Sequence, residues 1–194
     1  MRLIILGPPG AGKGTQAEQI AASRSIPHIS TGDIFRENIK DETPLGLEVK
    51  HILDAGGYVT DDITNKIVAD RLHAKDCAAG FLLDGYPRTT AQVEALDSVL
   101  AADGHRIDAV IELAVPEDEL VRRLLARAET SDRSDDTEHV IRERQALYRR
   151  ETAPLTDIYG SRGAVHQIDG LGTVEEVSKR VLSALDEVAD GVDA

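Results

Sequence analysis

Cysteine is almost missing from this chain. The one thiol among 194 residues, Cys77, can form neither an intrachain disulfide nor a four-ligand zinc site, and it reads as a small filler residue. Long hydrophobic runs are missing as well. The first apolar stretch, Leu3 to Leu6, is cut short by Gly7 and the prolines behind it, too short for a signal peptide or a bilayer span; the expectation is a soluble, cytoplasmic protein with no membrane partner. There are no internal repeats and no low-complexity tracts. Positive charge is scarce: 22 Lys and Arg face 35 Asp and Glu, a formal net charge of −13, whose long-range field opposes binding to nucleic acid and to anionic lipid. A polyanionic ligand must therefore be met by local cations.

What is present is ordinary globular material, 41% hydrophobic and 29% charged, in a length that suits one substantial domain. The arginines are unevenly spread. Between Pro116 and Arg150 eight of the sixteen stand against nine acids, so that stretch carries −1 while the rest carries −12. A solvated helix pair laced with surface ion pairs would have the same pattern.

Short apolar runs mark the candidate strands: "RLIIL" before Gly7, "GFLLDG" at 80–85, "DAVIEL" at 108–113, "AVHQID" at 164–169 and, more weakly, "IPHIS" at 26–30. His28, inside the last of these, reads as structural. Helical patterns separate the runs. In the final one Val174, Val177, Val181, Leu185 and Val188 recur at three- and four-residue intervals behind a Thr173 cap, and the tail "DEVADGVDA" is expected to fray. Alternating strands and helices predict an α/β fold, a parallel sheet covered on both faces. Two stretches interrupt it. Residues 31–59 hold two helical pieces, "GDIFRENIK" and "PLGLEVKHILDAG", and "AETSDRSDDTEH" at 128–139 is a polar loop placed as a lid would be.

"GPPGAGKGT" at 7–15 follows a strand and precedes the helical run "TQAEQIAASR", the setting a phosphate-binding P-loop needs. Gly7, Gly10, Gly12 and Gly14 would let backbone N–H groups converge on phosphate oxygens at a helix N-terminus, and Lys13 adds a point charge. The usual Ser or Thr after Lys13 is replaced by Gly14, so Thr15 supplies the first hydroxyl able to face the phosphates or a water of a Mg²⁺ shell. Asp84, ending a short apolar strand, suits the ordering of the same water shell.

With this loop variant the chain resembles the nucleoside monophosphate kinases, and among them most closely the adenylate kinases of the short-lid bacterial type. "STGDIFR" at 30–36, "DGYPRTTAQ" at 84–92 and "ETAPL" at 151–155 extend the resemblance over nearly the whole chain. It implies a P-loop NTPase fold with five parallel strands: a core of residues 1–29, 60–126 and 138–194, an AMP-binding insertion at 30–59 and a short lid at 127–137. It implies the reaction MgATP + AMP ⇌ 2 ADP, with ATP, AMP and ADP as partners, Mg²⁺ as the cofactor and a monomeric protein. ATP would be held by Gly10, Ala11, Gly12, Lys13, Gly14, Thr15, Arg123, Arg127 and Gly172. AMP would be held by Thr31 and Gln92 at the base and by Arg36 and Arg88 at the phosphate. Gly85, Tyr86, Pro87 and the backbone of Gly57, Tyr58 and Val59 would complete its pocket. Arg133 and Arg144 would close on the transferred group, with Arg142 as an auxiliary, so that Lys13, Arg88, Arg127, Arg133 and Arg144 form the catalytic set. The lid, a dozen polar residues without cysteine, leaves no room for the zinc-bearing lid of longer relatives; lid hydrogen bonds from Ser131, Asp135, Asp136 and Thr137 are expected instead.

The chemistry of these residues agrees with such roles. Gln92 offers a carbonyl and an amide on one planar group, and the guanidinium of Arg88 can hold a phosphate in a fork, which a lysine cannot. Pro87 restricts Tyr86 to extended geometry. Arg123 and Arg127, four apart, share one helix face, where like charges cost about 0.2–0.5 kcal/mol until an anion joins them. Pyrimidine nucleotide kinases typically carry alanine and asparagine where Thr31 and Gln92 stand. A pyrimidine monophosphate kinase and a non-catalytic P-loop nucleotide sensor remain the alternatives.

Overall fold

Leu3 and Ile5 face one side of a central sheet and Ile4 and Leu6 the other, the period-two arrangement that a strand buried on both faces demands. They belong to β1 (Arg2–Leu6), the middle strand of five in a computed structural model that describes residues 1–129 and 137–192. The others are β2 (His28–Ser30), β3 (Phe81–Asp84), β4 (Ala109–Ala114) and β5 (Val165–Asp169), all parallel, in the order β2-β3-β1-β4-β5. All five expected strands form, including the weak one at 26–30, which shrinks to three residues at the sheet edge.

Nine α-helices are described: α1 (Lys13–Arg24), α2 (Thr31–Lys40), α3 (Pro44–Asp54), α4 (Asp61–Leu72), α5 (Thr90–Ala102), α6 (Glu117–Ala128), α7 (Glu138–Leu147), α8 (Leu155–Gly160) and α9 (Val174–Val192). α1, α6 and α9 cover one face of the sheet through Ala17, Ile20, Leu120, Val177, Val181 and Leu185. α4, α5 and α8 cover the other through Val68, Val93, Leu96, Leu155 and Tyr159. Thr173 caps α9 in a reciprocal box: its hydroxyl accepts from the Glu176 N–H while its own N–H donates to the Glu176 carboxylate. That helix runs to Val192, through most of the tail expected to fray.

α2 and α3 make their own small core, Phe35, Val49 and Val59, against which Ile63 and Ile67 of α4 also pack. Past Leu147 the chain winds into one π-helical turn, Tyr148–Thr152, before Pro154. α6 ends at Ala128, and the Thr137 hydroxyl caps α7 by accepting from the Val140 N–H. Ser131, Arg133, Asp135 and Asp136 lie outside the described residues. Among the described residues no helix is long and apolar enough to cross a membrane, and no group of three or more His, Cys, Asp or Glu is arranged to hold a metal ion.

β1 lies between β3 and β4: from β1 the chain builds β2 and β3 on one side, then crosses over β1 to build β4 and β5 on the other, so the connections reverse direction at β1. A crevice opens beyond the carboxyl ends of the strands at such a point.

Candidate active site

The loop after β1 supplies one wall of that crevice. Gly7, Gly10 and Gly12 have φ of 149°, 88° and 93°, backbone that other residues rarely adopt, and Gly12 takes the N-cap position of α1 without a side-chain cap. The helix thus starts at Lys13, two residues ahead of the run read from the sequence. Gly14 departs from expectation: it lies within α1 and has no need of glycine's backbone freedom. A Cβ there would stand 3.9 Å from Asp84 Oδ2, which shows how closely the first turn of α1 faces the end of β3.

Lys13 is turned back over the loop, its Nζ donating to the carbonyls of Gly7 at 2.7 Å and Pro8 at 3.2 Å. Burial first, then the nearby charges of Arg88, Arg144 and Arg127, lower its pKa to about 8 against the opposing pull of Asp84. Three arginines, from the turn after β3, from α6 and from α7, therefore act on one ammonium group. Asp84 is buried beside both Ile5 of β1 and Ser30 of β2, and Thr15 is exposed on the first turn of α1. His28 Nε2 stands 3.5 Å from Asp84 Oδ2, and that carboxylate raises the imidazole above its ordinary pKa. The residue read as structural is the immediate neighbour of the acid.

The opposite wall is built where β2 and β3 end. Ser30 caps α2, and the buried hydroxyl of Thr31 donates to Gly85 O at 2.9 Å. Gly85 has φ of 77°, and a Cβ there would come within 3.0 Å of both Thr31 Oγ1 and Arg88 Nη2. Only glycine lets these two side chains close over the turn. Arg88 is fixed by Nε donating to Gly85 O at 2.6 Å and by its N–H donating to Gln92 Oε1 at 2.7 Å. Gln92 Nε2 donates to Asp61 Oδ1 at 2.7 Å, which settles which way the amide points. One N–H and one lone pair of that amide remain for a ligand. Arg36, one turn along α2, is paired with Asp33.

One cavity joins these groups. Lys13, Thr31, Arg36, Gly57, Tyr58, Val59, Gly85, Pro87, Arg88, Gln92 and Arg144 all line it. Tyr86 does not: its side chain is buried in the sheet core, where its hydroxyl donates to Asn65 Oδ1 at 2.8 Å. The Tyr86–Pro87 bond is cis, a feature not foreseen from the sequence. Arg142 is absent from the cavity, exposed and paired with Glu138 on its own helix. Sequence reasoning missed Tyr148 and Thr152, which enter the cavity from the π-helical turn, and Gln145, buried with Nε2 donating to Pro9 O at 2.8 Å. The sequence carries no local signal for a π turn, and only the folded chain brings Tyr148 and Thr152 to the cavity and Gln145 to the loop after β1.

Arg123, Arg127 and Gly172 do not line this cavity. Arg123 Nη2 donates to Gly170 O at 3.0 Å and its Nε to Glu119 Oε1 at 2.7 Å, so it ties α6 to the loop before α9. Glu119 also takes two bonds from Arg122, and these guanidinium groups hold its carboxyl well below the usual range. The like-charge penalty foreseen for Arg123 and Arg127 is thus offset in part by an acid one turn earlier. Gly172 has φ of 109° in a loop whose carbonyls at Asp169 and Leu171 accept from Arg180.

Residues 5–164 match the family model described as adenylate kinase. The chain is 57% identical over 190 residues to the adenylate kinase of Nocardioides sp. strain JS614, covering 98% of this chain and all of that protein. It is 56% identical to the adenylate kinase of Clavibacter michiganensis subsp. michiganensis, over 95% of this chain and 92% of that one. It is 54% identical to that of Renibacterium salmoninarum, over 96% and 97%. A matched family model over most of its length and relatives of this closeness over nearly all of it make one conclusion firm: the chain belongs to the adenylate kinase family.

Proposed function

We propose that reversible phosphoryl transfer, MgATP + AMP ⇌ 2 ADP, runs here by alignment and charge neutralisation between two facing half-sites. The observation that carries this reading is one cleft with Gly7, Pro9 and Lys13 of the glycine loop on one wall, Thr31, Arg36, Arg88 and Gln92 on the other, and Arg144 reaching the same space. The attacking atom is an oxygen of the AMP phosphate, already ionised near neutral pH. As its bond to the γ-phosphorus forms in line, the bond from that phosphorus to the β,γ-bridging oxygen breaks and ADP leaves. No general base is needed, which accounts for a site rich in arginine and poor in nucleophiles.

In this scheme residues 10–15 cradle the ATP phosphates, with Arg123 and the backbone near Gly172 toward the donor base. Arg36 and Arg88 hold the acceptor phosphate, Thr31 and Gln92 its adenine, and Lys13, Arg127, Arg133 and Arg144 balance the charge in transfer. Asp84 and Thr15 would order the water shell of Mg²⁺, and the ion would offset the negative charge of the phosphates; the buried carboxylate of Asp84, facing the first turn of α1, is the oxygen donor such a shell takes. The insertion at 30–59 and the lid at 127–137 exclude water, the competing acceptor, before transfer. The protein acts as a cytoplasmic monomer on ATP, AMP and ADP.

A coupled assay offering AMP, CMP, UMP and GMP with MgATP tests this. AMP should turn over fastest by a wide margin. Faster turnover of UMP or CMP would transfer the reading to a pyrimidine kinase, and tight binding of both nucleotides without ADP formation would make the protein a sensor.

A further inference from the structure

Tyr58 follows the glycine pair at the end of α3, and its side chain makes two long-range contacts that the loop's backbone role does not require. Its ring lies under the guanidinium of Arg88, with Cζ 4.7 Å from the ring centroid. Its hydroxyl is 2.9 Å from Thr152 Oγ1 in the π-helical turn. The Thr152 hydroxyl has one proton, and it donates that to Arg88 O at 2.9 Å. The direction of the chain follows: Tyr58 O–H donates to Thr152, which donates to the Arg88 carbonyl. Arg88 is thereby gripped at its backbone by Thr152 and Gln92, at Nε by Gly85, and across its face by the Tyr58 ring. The terminal nitrogens are left directed at the cavity that Tyr58 and Arg88 both line.

We infer that the Tyr58 side chain is a positioning residue for the acceptor phosphate, acting through Arg88, and that its ring does this work. The inference rests on the reading of Arg88 as a phosphate-holding residue. A guanidinium with Nε occupied can still rotate about its longer side-chain bonds. A π face beneath it restricts that motion without neutralising the positive charge the phosphate needs, as a carboxylate in the same place would. The hydroxyl serves a second purpose: it fastens the end of the α2–α3 insertion to the turn that follows α7. Gly56, two residues earlier, is packed so closely on Val140 and Arg144 of α7 that a Cβ would come within 2.9 Å of each. Insertion, α7 and Arg88 therefore meet around one tyrosine.

The test compares Tyr58→Leu, which removes ring and hydroxyl, with Tyr58→Phe, which keeps the ring. The leucine variant should lose roughly 2- to 30-fold in kcat/KM for the acceptor, the range expected of a cation–π contact. Its KM for ATP should not change, and Tyr58→Phe should restore most of the loss. Affinity for adenosine, which lacks the phosphate, should be the same in all three proteins. In an Arg88→Ala background Tyr58→Leu should have no further effect on the acceptor. Tyr58→Met carries the same comparison if the leucine variant fails to fold. An acceptor kcat/KM within 2-fold of the parent in Tyr58→Leu, an equal loss in Tyr58→Phe, weakened adenosine binding or an undiminished effect without Arg88 would each overturn the inference. Acceptor kinetics are read with whichever nucleotide the parent protein prefers in the acceptor panel, so a change of acceptor would sink the functional reading and leave the Tyr58 comparison standing by itself.

Discussion

An ammonium group buried within the field of three guanidinium groups holds its proton less firmly than one in water, and Lys13 titrates near 8 where an ordinary lysine does so near 10.5. The sign of the consequence can be worked out. Between those two values the unfolded chain binds the proton and the folded chain does not, so this group makes the free protein more stable as pH rises through that window. Bound nucleotide phosphates favour the charged form and draw the pKa back up. Nucleotide binding at about pH 8.5 should therefore take up protons, and binding at pH 6.5 should take up almost none through this group. Calorimetry in buffers of different ionisation heat measures the difference; equal proton uptake at both pH values would contradict it. Arg88→Ala should lower kcat by about 10²- to 10³-fold, the scale seen when one fixed donor to a developing charge is removed. The melting temperature should be nearly unchanged, because the partners Arg88 leaves behind are mostly its own backbone contacts, which alanine retains. At this scale Lys13, Arg88, Thr31 and Gln92 were legible in the sequence because each stands in a short motif whose chemistry is local. Tyr58 and Glu119 were not legible as side chains with a task. Tyr58 finds Thr152 across 94 residues, and Glu119 acquires meaning only through the orientation Arg123 takes toward Gly170.

Among the elements, the strands were the easiest to foresee. A strand covered on both faces must be apolar throughout, and the four stronger runs had no competing helical period. β2 was weaker for a physical reason: it lies at the sheet edge and keeps only three residues in register with β3. The middle strands carry the packing that places the loops, and Ile111 of β4 is completely buried in the layer under α1 and α9. Ile111→Ala should cost about 2–5 kcal/mol of stability, measured by denaturant unfolding with an unchanged m-value, while substrate KM values stay the same in the fraction still folded. A loss under 0.5 kcal/mol would mean that this layer does not fix the sheet. Helix ends were legible where a hydroxyl and an acid sit three apart, as at Thr173 and Glu176. α1 was misjudged by two residues because a glycine with positive φ gives no side-chain cap to read. The π-helical turn had no local signature at all, yet it brings Tyr148 and Thr152 to the cavity and lets α7 reach the P-loop through Gln145.

For the molecule as a whole, a net charge of −13 means that folding crowds like charges onto a compact surface, while Lys13, Arg36, Arg88 and Arg144 gather at one cleft. Self-repulsion of this kind weakens as salt screens it over about 10 Å or less at 0.1 M and above. Raising the salt from low to molar should therefore raise the melting temperature, and the same salt should weaken nucleotide binding because it screens the arginine-rich cleft. A melting temperature independent of salt would show that the acidic excess contributes no strain to the fold. The sequence by itself determined the class of fold and the glycine-rich loop, and pointed to candidate acceptor-side residues, because strand burial, glycine at special backbone positions and planar polar side chains are written in short stretches of chain. The tertiary structure alone decided which of these residues share a cavity, turning Tyr86 into the core and Arg142 out to solvent. It also decided that Gly14 stands opposite Asp84, that Lys13 lies within the field of three arginines, and that Arg88 rests on a tyrosine. These outcomes depend on distances between residues far apart in sequence, and burial and electrostatics act through those distances, which no local pattern encodes.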